Sequence, residues 1–474
     1  MPRGLEGMKA LETYLDWDTI AAVSTPYGIG GIGIVRISGA QAEEVARILF
    51  HPKRPVAHFT SHRLYYGHIL HPVERTIVDE VLMVIMRAPY TYTREDVVEI
   101  HCHGGYIPVK KILDLVLAQG VRLSQPGEFT QRAFLNGRID LTQAEAVVDL
   151  IEAKTHTAFR FAQRQLDGAL YQEIRGAQEI LKELMVEIEA RLDFPDEELA
   201  DLDLTEVLSQ LERCSRDIGH LVSTYEEGHL YRDGVTIVIG GRPNVGKSTL
   251  MNVLLGQDRV LVSPTPGTTR DFIEEEISIG GIPVRLVDTA GLREAGEEVE
   301  ALGVETARRQ IAGADLSLLL LDAAAIDTEP VDELLTNFPD TDRLLLVINK
   351  RDLVPCEILD QRMAMVPPLP HVRITALYGQ GITELKEKIL SLILKGRIDL
   401  DSRAVITNAR HYSALEKCLN ALEQATTQLS NEQPVLELVA ADLKGALGSL
   451  GQVVGDTTSQ EILDRIFVRF CIGK

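Results

Sequence analysis

Gly241-Arg242-Pro243-Asn244-Val245-Gly246-Lys247-Ser248-Thr249 is the stretch whose reading decides the fold. The β-branched run Val235-Thr236-Ile237-Val238-Ile239 precedes it, and apolar-periodic residues 250–255 follow. Strand, then G-x-x-x-x-G-K-S, then helix is the setting a phosphate-binding loop needs. Its glycines let backbone N–H groups face a phosphate at a helix N-terminus, where the dipole favours anions. Lys247 can reach the β- and γ-phosphates, and the Ser248 hydroxyl can hold Mg²⁺. A plain glycine-rich turn is the alternative, and two nucleotide signals further on set it aside.

Around this loop, strand patterns at 235–240, 273–279, 284–288, 316–322, 344–349 and 372–376 alternate with helical patterns. That order predicts a mainly parallel, doubly wound sheet. Asp288-Thr289-Ala290-Gly291 closes one strand; its carboxylate can reach Mg²⁺ through water, and the Gly291 N–H can sense a γ-phosphate. Asn349-Lys350-Arg351-Asp352 closes another. The Asp352 carboxylate can accept two N–H groups from guanine, which adenine lacks, and Thr375-Ala376-Leu377 completes the base pocket with a backbone N–H. Each motif is weak singly. In this order, each at a strand end, they specify GTP.

Pro266-Gly267-Thr268-Thr269-Arg270-Asp271 reads as a segment that closes over the γ-phosphate. A Ras-like enzyme places glutamine after D-x-x-G to orient the attacking water, whereas this chain has Leu292. Hydrolysis therefore needs another water-positioning group and another charge. Asn244 is a candidate ligand for a monovalent cation in that role; a local loop hydrogen bond is the alternative.

The chain has 474 residues, enough for about three domains. Its 45% hydrophobic and 25% charged content is that of a globular protein rather than a disordered one. No run approaches the roughly 18 apolar residues of a membrane span, and residues 1–18 read as neither a secretory signal nor a transit peptide. Five scattered cysteines (102, 214, 356, 418 and 471) suit a reducing cytoplasm. A net charge of −22 argues against a broad footprint on nucleic acid. If RNA is a substrate, a partner or a local patch must supply the positive field.

Residues 1–17 read as an extension. Gly28-Ile29-Gly30-Gly31-Ile32-Gly33 fits G-x-G-x-x-G but leads into the strand-like Ile34-Val35-Arg36-Ile37, where a dinucleotide fingerprint must open a helix. It is read as a glycine turn. His101 and His103 share one strand face, and with no further ligands nearby they are read as structural or ligand-lining. Thr142-x-x-Glu145 reads as a capping box opening helical periodicity to about 193. Phe194-Pro195-Asp196-Glu197-Glu198 breaks it, a second helix spans roughly 204–228, and the chain is helical again beyond 401.

Taken in order, Gly28–Gly33 with Ile34 to Gly39, Glu99-Ile100-His101-Cys102-His103-Gly104-Gly105, Pro126-Gly127-Glu128-Phe129-Thr130, the nucleotide motifs and the terminal Cys471-Ile472-Gly473-Lys474 resemble the MnmE (TrmE) family of tRNA-modification GTPases. The resemblance runs from about 18 to 474. It implies that the first domain makes a homodimer and binds a formyl- or methylene-tetrahydrofolate through Arg36, Glu99, Arg138 and Lys474. Arginines suit the carboxylates of a glutamate tail, and Glu99 can accept N–H groups from a pterin. Arg138 stands where some members have lysine. The resemblance also implies potassium-activated hydrolysis, with Asn244, the backbone of Ser263 and Thr265, and Thr268 on K⁺. Ser248, Thr269 and, through water, Asp288 match the Mg²⁺ shell. Glu300 matches the acid that positions water. Cys471 is expected in a supporting chemical role as thiolate or one-carbon acceptor; Gly473 and Lys474 argue against prenylation of it.

The motifs and the resemblance together set the expected GTP contacts. They are Asn244, Val245, Gly246, Lys247, Ser248 and Thr249; Ser263, Pro264, Thr265, Pro266, Gly267, Thr268 and Thr269; Asp288, Thr289, Ala290 and Gly291; Asn349, Lys350 and Asp352; and Thr375, Ala376 and Leu377. Catalytic roles are expected for Lys247, Glu300 and Cys471.

The expected fold is multidomain α/β. An α+β folate-binding and dimerisation domain spans 1–138, and a discontinuous all-α domain spans 139–233 and 396–474. A Ras-like P-loop α/β GTPase domain, 234–395, is inserted between its halves. Such a cytoplasmic protein would install aminomethyl or carboxymethylaminomethyl groups at carbon 5 of the wobble uridine. It would work in a heterotetramer with an FAD-containing MnmG (GidA)-type protein that carries much of the tRNA contact. A ribosome-assembly GTPase of Era or Der type is the rival, and it leaves residues 18–138 and Cys471 unexplained. A dimeric scaffold shaped by nucleotide is a second.

Overall fold

The computed structural model describes residues 18–473 apart from 27, 195–202, 259–273, 289–308, 328–330, 337, 339, 365, 395–403 and 471. Contacts divide the chain into two units, residues 1–148 with 451–474 and residues 149–450.

In the first unit, β1 (Ile20–Val23), β2 (Ile32–Ser38), α1 (Ala42–Leu49), β3 (Phe50–Pro52), β4 (Arg63–Leu70), β5 (Ile77–Met86), β6 (Val97–His103), α2 (Tyr106–Leu117), β7 (Arg122–Leu123), α3 (Glu128–Leu135) and α4 (Leu141–Glu152) follow in order. The strands form one sheet in the order β3-β4-β5-β6-β2-β1-β7, antiparallel except for β1 with β7. Successive strand residues face opposite ways. Val35, Ile37, Val98 and Ile100 therefore point into a core with Val45 and Leu49 of α1 and Ile112 and Val116 of α2. Their neighbours Arg36, Glu99 and His101 are left on the other face, half-buried. The β2–β6 register sets Arg36 directly opposite Glu99. The glycine turn runs straight into β2, as its sequence context required.

One local reading is corrected. The cap of α4 is Asp140, whose Oδ1 accepts from the Thr142 and Gln143 N–H groups, while the Asp140 N–H donates to Gln143 Oε1 at 3.1 Å. The capping box is thus Asp140-x-x-Gln143, two residues ahead of the Thr142-x-x-Glu145 match. The aspartate wins because it sits where the backbone turns into the helix, whereas Thr142 is already helical.

A charged cluster lies next to Ser38 at the end of β2. Buried Arg132 reaches Asp18 Oδ1 at 2.7 Å, Glu128 Oε1 at 2.9 Å and Glu95 Oε1 at 3.2 Å. Arg122 meets Glu128 Oε1 at 2.6 Å, and the Ser38 hydroxyl donates to Glu95 Oε2 at 2.7 Å. Buried charges persist only when paired in this way.

The second unit adds α5 (His156–Leu166), α6 (Ala169–Asp193), α7 (Leu204–Ser223), α8 (Tyr225–Asp233), β8 (Val235–Gly240), α9 (Lys247–Asp258), β9 (Glu274–Ile279), β10 (Ile282–Asp288), β11 (Leu316–Asp322), α10 (Val331–Leu335), β12 (Leu344–Asn349), α11 (Cys356–Met363), β13 (His371–Arg373), α12 (Ile382–Ile393) and α13 (Ala409–Leu429). The helix α14 (Leu436–Val454) crosses back to the first unit's α15 (Gln460–Phe467). Six strands run in the order β13-β12-β11-β8-β10-β9, parallel except for β9 against β10. Residues of β11 and β12 are buried on both faces, which explains their unbroken apolar sequence. Among the described residues, no helix is long and apolar enough to cross a membrane.

The β9–β10 hairpin ties sheet to helices. Thr155 Oγ1 caps α5 by accepting from the Ala158 N–H and donates to the Gly281 carbonyl at 2.7 Å, while Lys154 meets Glu276 at 2.5 Å. Gly281 has φ +85, and a Cβ there would strike Thr157 Oγ1.

Gly281→Val combines a left-handed backbone with that clash and is expected to cost about 1–3 kcal/mol in urea unfolding. Arg132→Met takes one arginine from Asp18 and Glu128, which keep Arg122, and the arginine from buried Glu95, and is expected to cost about 3–5 kcal/mol. Burial pushes the Glu128 carboxyl upward, but Arg122, the Gln125 N–H and Arg132 outweigh it and hold it below its ordinary 4.5. Its contribution is therefore full above pH 4.5 and lost as pH falls through its lower folded value. Acid titration of stability should be shallower below pH 4.5 in Glu128→Gln than in wild type.

Candidate functional site

Three residues in the left-handed region shape the loop after β8: Gly241 (φ +141), Asn244 (φ +64) and Gly246 (φ +102). A Cβ on Gly241 would lie 2.6 Å from the Leu320 carbonyl, and one on Gly246 would occupy the place of Asn349 Nδ2. Only glycine fits both. The loop then opens α9 at Lys247, whose buried ammonium donates to the Gly241 and Arg242 carbonyls at 2.9 Å each. Ser248 is exposed on the first turn of α9, and Asn244 is exposed at the loop apex. A hydroxyl and a carboxamide oxygen so placed are hard donors that fit Mg²⁺ and K⁺ respectively. Val245 is buried and anchors the loop.

Asn349 joins this loop to the base-recognition segments. Its side chain, 3% exposed, donates from Nδ2 to the Val245 carbonyl at 2.8 Å and accepts at Oδ1 from the Ala376 N–H at 3.0 Å. The Ala376 N–H is thus committed to Asn349. Lys350 has φ +59, and its ammonium meets Asp322 Oδ2 at 2.7 Å. Asp352 is exposed in the tight turn Arg351–Leu353, and Leu377 is exposed beside buried Ala376 and Thr375. Asp288 ends β10 opposite Ile239 of β8. The expected contacts Asn244 to Thr249, Asp288, Asn349, Lys350, Asp352 and Thr375 to Leu377 all gather at the carboxyl ends of parallel strands, where open α/β sheets bind ligands. Ser263 to Thr269, Thr289 to Gly291 and Glu300 lie outside the described residues.

The first unit holds a second constellation. Arg36 Nε donates to Glu99 Oε1 at 2.9 Å, Nη2 lies 2.8 Å from the same oxygen, and Nη1 donates to the Gly473 carbonyl at 3.2 Å. The C-terminal tail is therefore seated on β2. Gly473 has φ +92 and abuts the Val23 carbonyl, and the Ser24 hydroxyl donates to the Gly473 carbonyl at 3.3 Å. Burial pushes the Glu99 carboxyl upward, but the Arg36 charge and bonds from His101 and Arg36 outweigh it and hold the group below its ordinary value. His101 contacts Glu99 at 3.2 Å. His103 pairs instead with Asp79 at 2.6 Å, and that bond raises its pKa.

Arg138 is exposed and donates to the Tyr92 carbonyl at 3.1 Å. Arg36, Glu99 and the tail meet at one place, while Cys471 and Lys474 lie outside the described residues. Sequence reasoning missed Tyr92, Phe129 as a neighbour of Arg36, and Asp322 as the partner of Lys350. Phe129 stood inside a quoted marker, but nothing local linked it to Arg36. Tyr92 carried no signal.

Residues 19–138 match the model of the GTP-binding protein TrmE N-terminus, and residues 141–471 match that of the MnmE helical domain. The chain belongs to the MnmE family. A tRNA modification GTPase MnmE from Natranaerobius thermophilus is 45% identical over 457 residues, covering 96% of this chain and 99% of that one. Its namesake from Carboxydothermus hydrogenoformans is 44% identical over 460 residues, with the same coverage of each chain. Among solved structures, Era in complex with MgGDPNP and a 16S ribosomal RNA fragment is 28% identical, covering 43% of this chain and 69% of that chain at a TM-score of 0.29. The helical-domain match brackets the P-loop sheet, so in this family member the GTPase fold interrupts the helical one.

Asn349→Ala removes both bonds and leaves the Val245 carbonyl and the Ala376 N–H buried without partners. It is expected to cost about 1–3 kcal/mol of stability. It should also weaken binding of a fluorescent guanine nucleotide by about tenfold or more.

Proposed function

We propose that this chain is a GTP hydrolase of tRNA modification, and that it acts on carbon 5 of the wobble uridine. Membership of the MnmE family supports the first statement. The observation that carries the nucleotide reading is the Asn349 carboxamide holding the phosphate loop to the guanine-recognition segments.

Lys247 serves the β- and γ-phosphates, and Ser248 with Thr269 would hold Mg²⁺, aided by Asp288 through water. Asn244, the Ser263 and Thr265 carbonyls and Thr268 would hold K⁺, whose charge offsets that of the phosphates in place of an arginine. Glu300 positions the attacking water, a role Leu292 cannot fill. Positioning and electrostatics supply the rate.

Arg36, Glu99, Arg138 and Lys474 would bind a formyl- or methylene-tetrahydrofolate that supplies the one-carbon unit, with Cys471 beside it. The Arg36–Glu99 pair and the seating of Gly473 support this reading, because they bring the tail to the sheet face that carries both residues. Residues 1–138 act as the folate-binding and dimerisation domain, 139–233 with 396–474 as the helical domain, and 234–395 as the GTPase domain. The homodimer works in the cytoplasm with an FAD-containing MnmG-type partner that carries much of the tRNA contact, as the net charge of −22 favours.

Mass spectrometry of tRNA nucleosides from cells lacking this chain is expected to show loss of the wobble modification. Wild type should restore it and Cys471→Ser should not. An unchanged uridine profile in the deletion strain, with no second copy present, would overturn the tRNA reading.

Asp352→Asn exchanges an acceptor pair for an acceptor and a donor. It should lower GTP affinity by about tenfold or more and favour xanthosine triphosphate, which carries a carbonyl where guanine has its amino group. Competition binding with the two nucleotides checks this. Hydrolysis by wild type should be faster in K⁺ than in Na⁺, and Asn244→Ala should abolish that difference.

A further inference from the structure

Two guanidinium groups share one aromatic ring in the first unit. The Arg36 guanidinium lies 5.6 Å from the centroid of Tyr92, and that of Arg138 lies 4.7 Å from it. Like charges held near each other repel, so the arrangement persists only where something holds both. The ring attracts each cation through its quadrupole. The Tyr92 carbonyl accepts from Arg138 Nη1 at 3.1 Å, and the Tyr92 hydroxyl is fixed to Thr130 Oγ1 at 2.8 Å. Behind Arg36 stands the fully buried Phe129 ring, 5.7 Å away, on the same helix α3 as Thr130. Helix α3 also carries Arg132, whose ion pair to Glu95 pins it to the loop that bears Tyr92.

We propose that Tyr92 is a positioning residue of the one-carbon site, its ring holding Arg36 and Arg138 as a two-cation cradle for the dicarboxylate tail of a reduced folate. The inference rests on the one-carbon reading of this unit. Arg36 carries five N–H donors, and the described residues take three of them, two at Glu99 and one at Gly473. The described residues take one donor of Arg138, at Tyr92. N–H groups on both arginines thus remain to accept carboxylate oxygens, and a dianion relieves the repulsion between the cations. Glu99, at the other end of Arg36, serves the pterin. Tyr92 therefore governs recognition of the tail and not of the ring system.

Calorimetric binding to the full-length chain tests this with two probes, 5-formyltetrahydrofolate and a 5-formyltetrahydropterin that lacks the glutamate tail. Tyr92→Leu is expected to weaken the tailed probe about tenfold and leave the tailless probe within about twofold. Tyr92→Phe keeps the ring and should stay within about threefold for both; Thr130→Val, which frees the hydroxyl but keeps the ring, should behave likewise. Wild-type affinity for the tailed probe in Tyr92→Leu, or equal losses for both probes, would overturn the assignment. Failure of wild type to bind either probe would sink the one-carbon reading itself and the inference with it. If Tyr92→Leu does not fold, a tenfold loss of both probes in Tyr92→Phe overturns the proposal. Retention of both in Tyr92→Phe, with selective loss of the tailed probe in Arg138→Leu, supports it.

Discussion

One buried carboxamide joins the parts of the nucleotide site. Asn349 spends its donor on the Val245 carbonyl, 104 residues away, and its acceptor on the Ala376 N–H. An unpaired amide in that position would cost about 1–3 kcal/mol, so the three segments hold one another in a single arrangement. The glycine at 246 belongs to the same constraint, since Asn349 Nδ2 occupies the space a Cβ would need. Phosphate recognition and base recognition are thereby one structural decision.

The first unit solves a different problem, the placement of charge against a sheet. Antiparallel register puts Arg36 across from Glu99 on the face that α1 and α2 do not cover. Arg132 and Arg122 pair with Glu95, Glu128 and Asp18, where lone charges would be expelled to solvent or titrated. The Arg132–Glu95 pair ties α3 to the loop carrying Tyr92.

Much of the second unit could be read directly along the chain. The strands appear at 235–240, 274–279, 282–288, 316–322, 344–349 and 371–373, close to where the sequence placed them; for β11 and β12, burial on both faces demands unbroken apolar sequence. The phosphate loop was legible because its function needs glycine at positions of fixed conformation. The cap of α4 was misplaced by two residues because both sites carry suitable side chains. Which one caps depends on where the backbone turns, and periodicity places helix ends poorly.

The sequence by itself determined the nucleotide chemistry and the order of secondary structure, since both are written in local patterns of period, glycine and strand-end motif. It also marked Arg36 and Glu99 through a family resemblance. Only the tertiary structure decided that these two pair with each other, that the Gly473 carbonyl reaches Arg36 across 437 residues, and that Tyr92 lies against both arginines. Contacts of that kind arise from sheet register and from the packing of α3. No window of neighbouring residues encodes them.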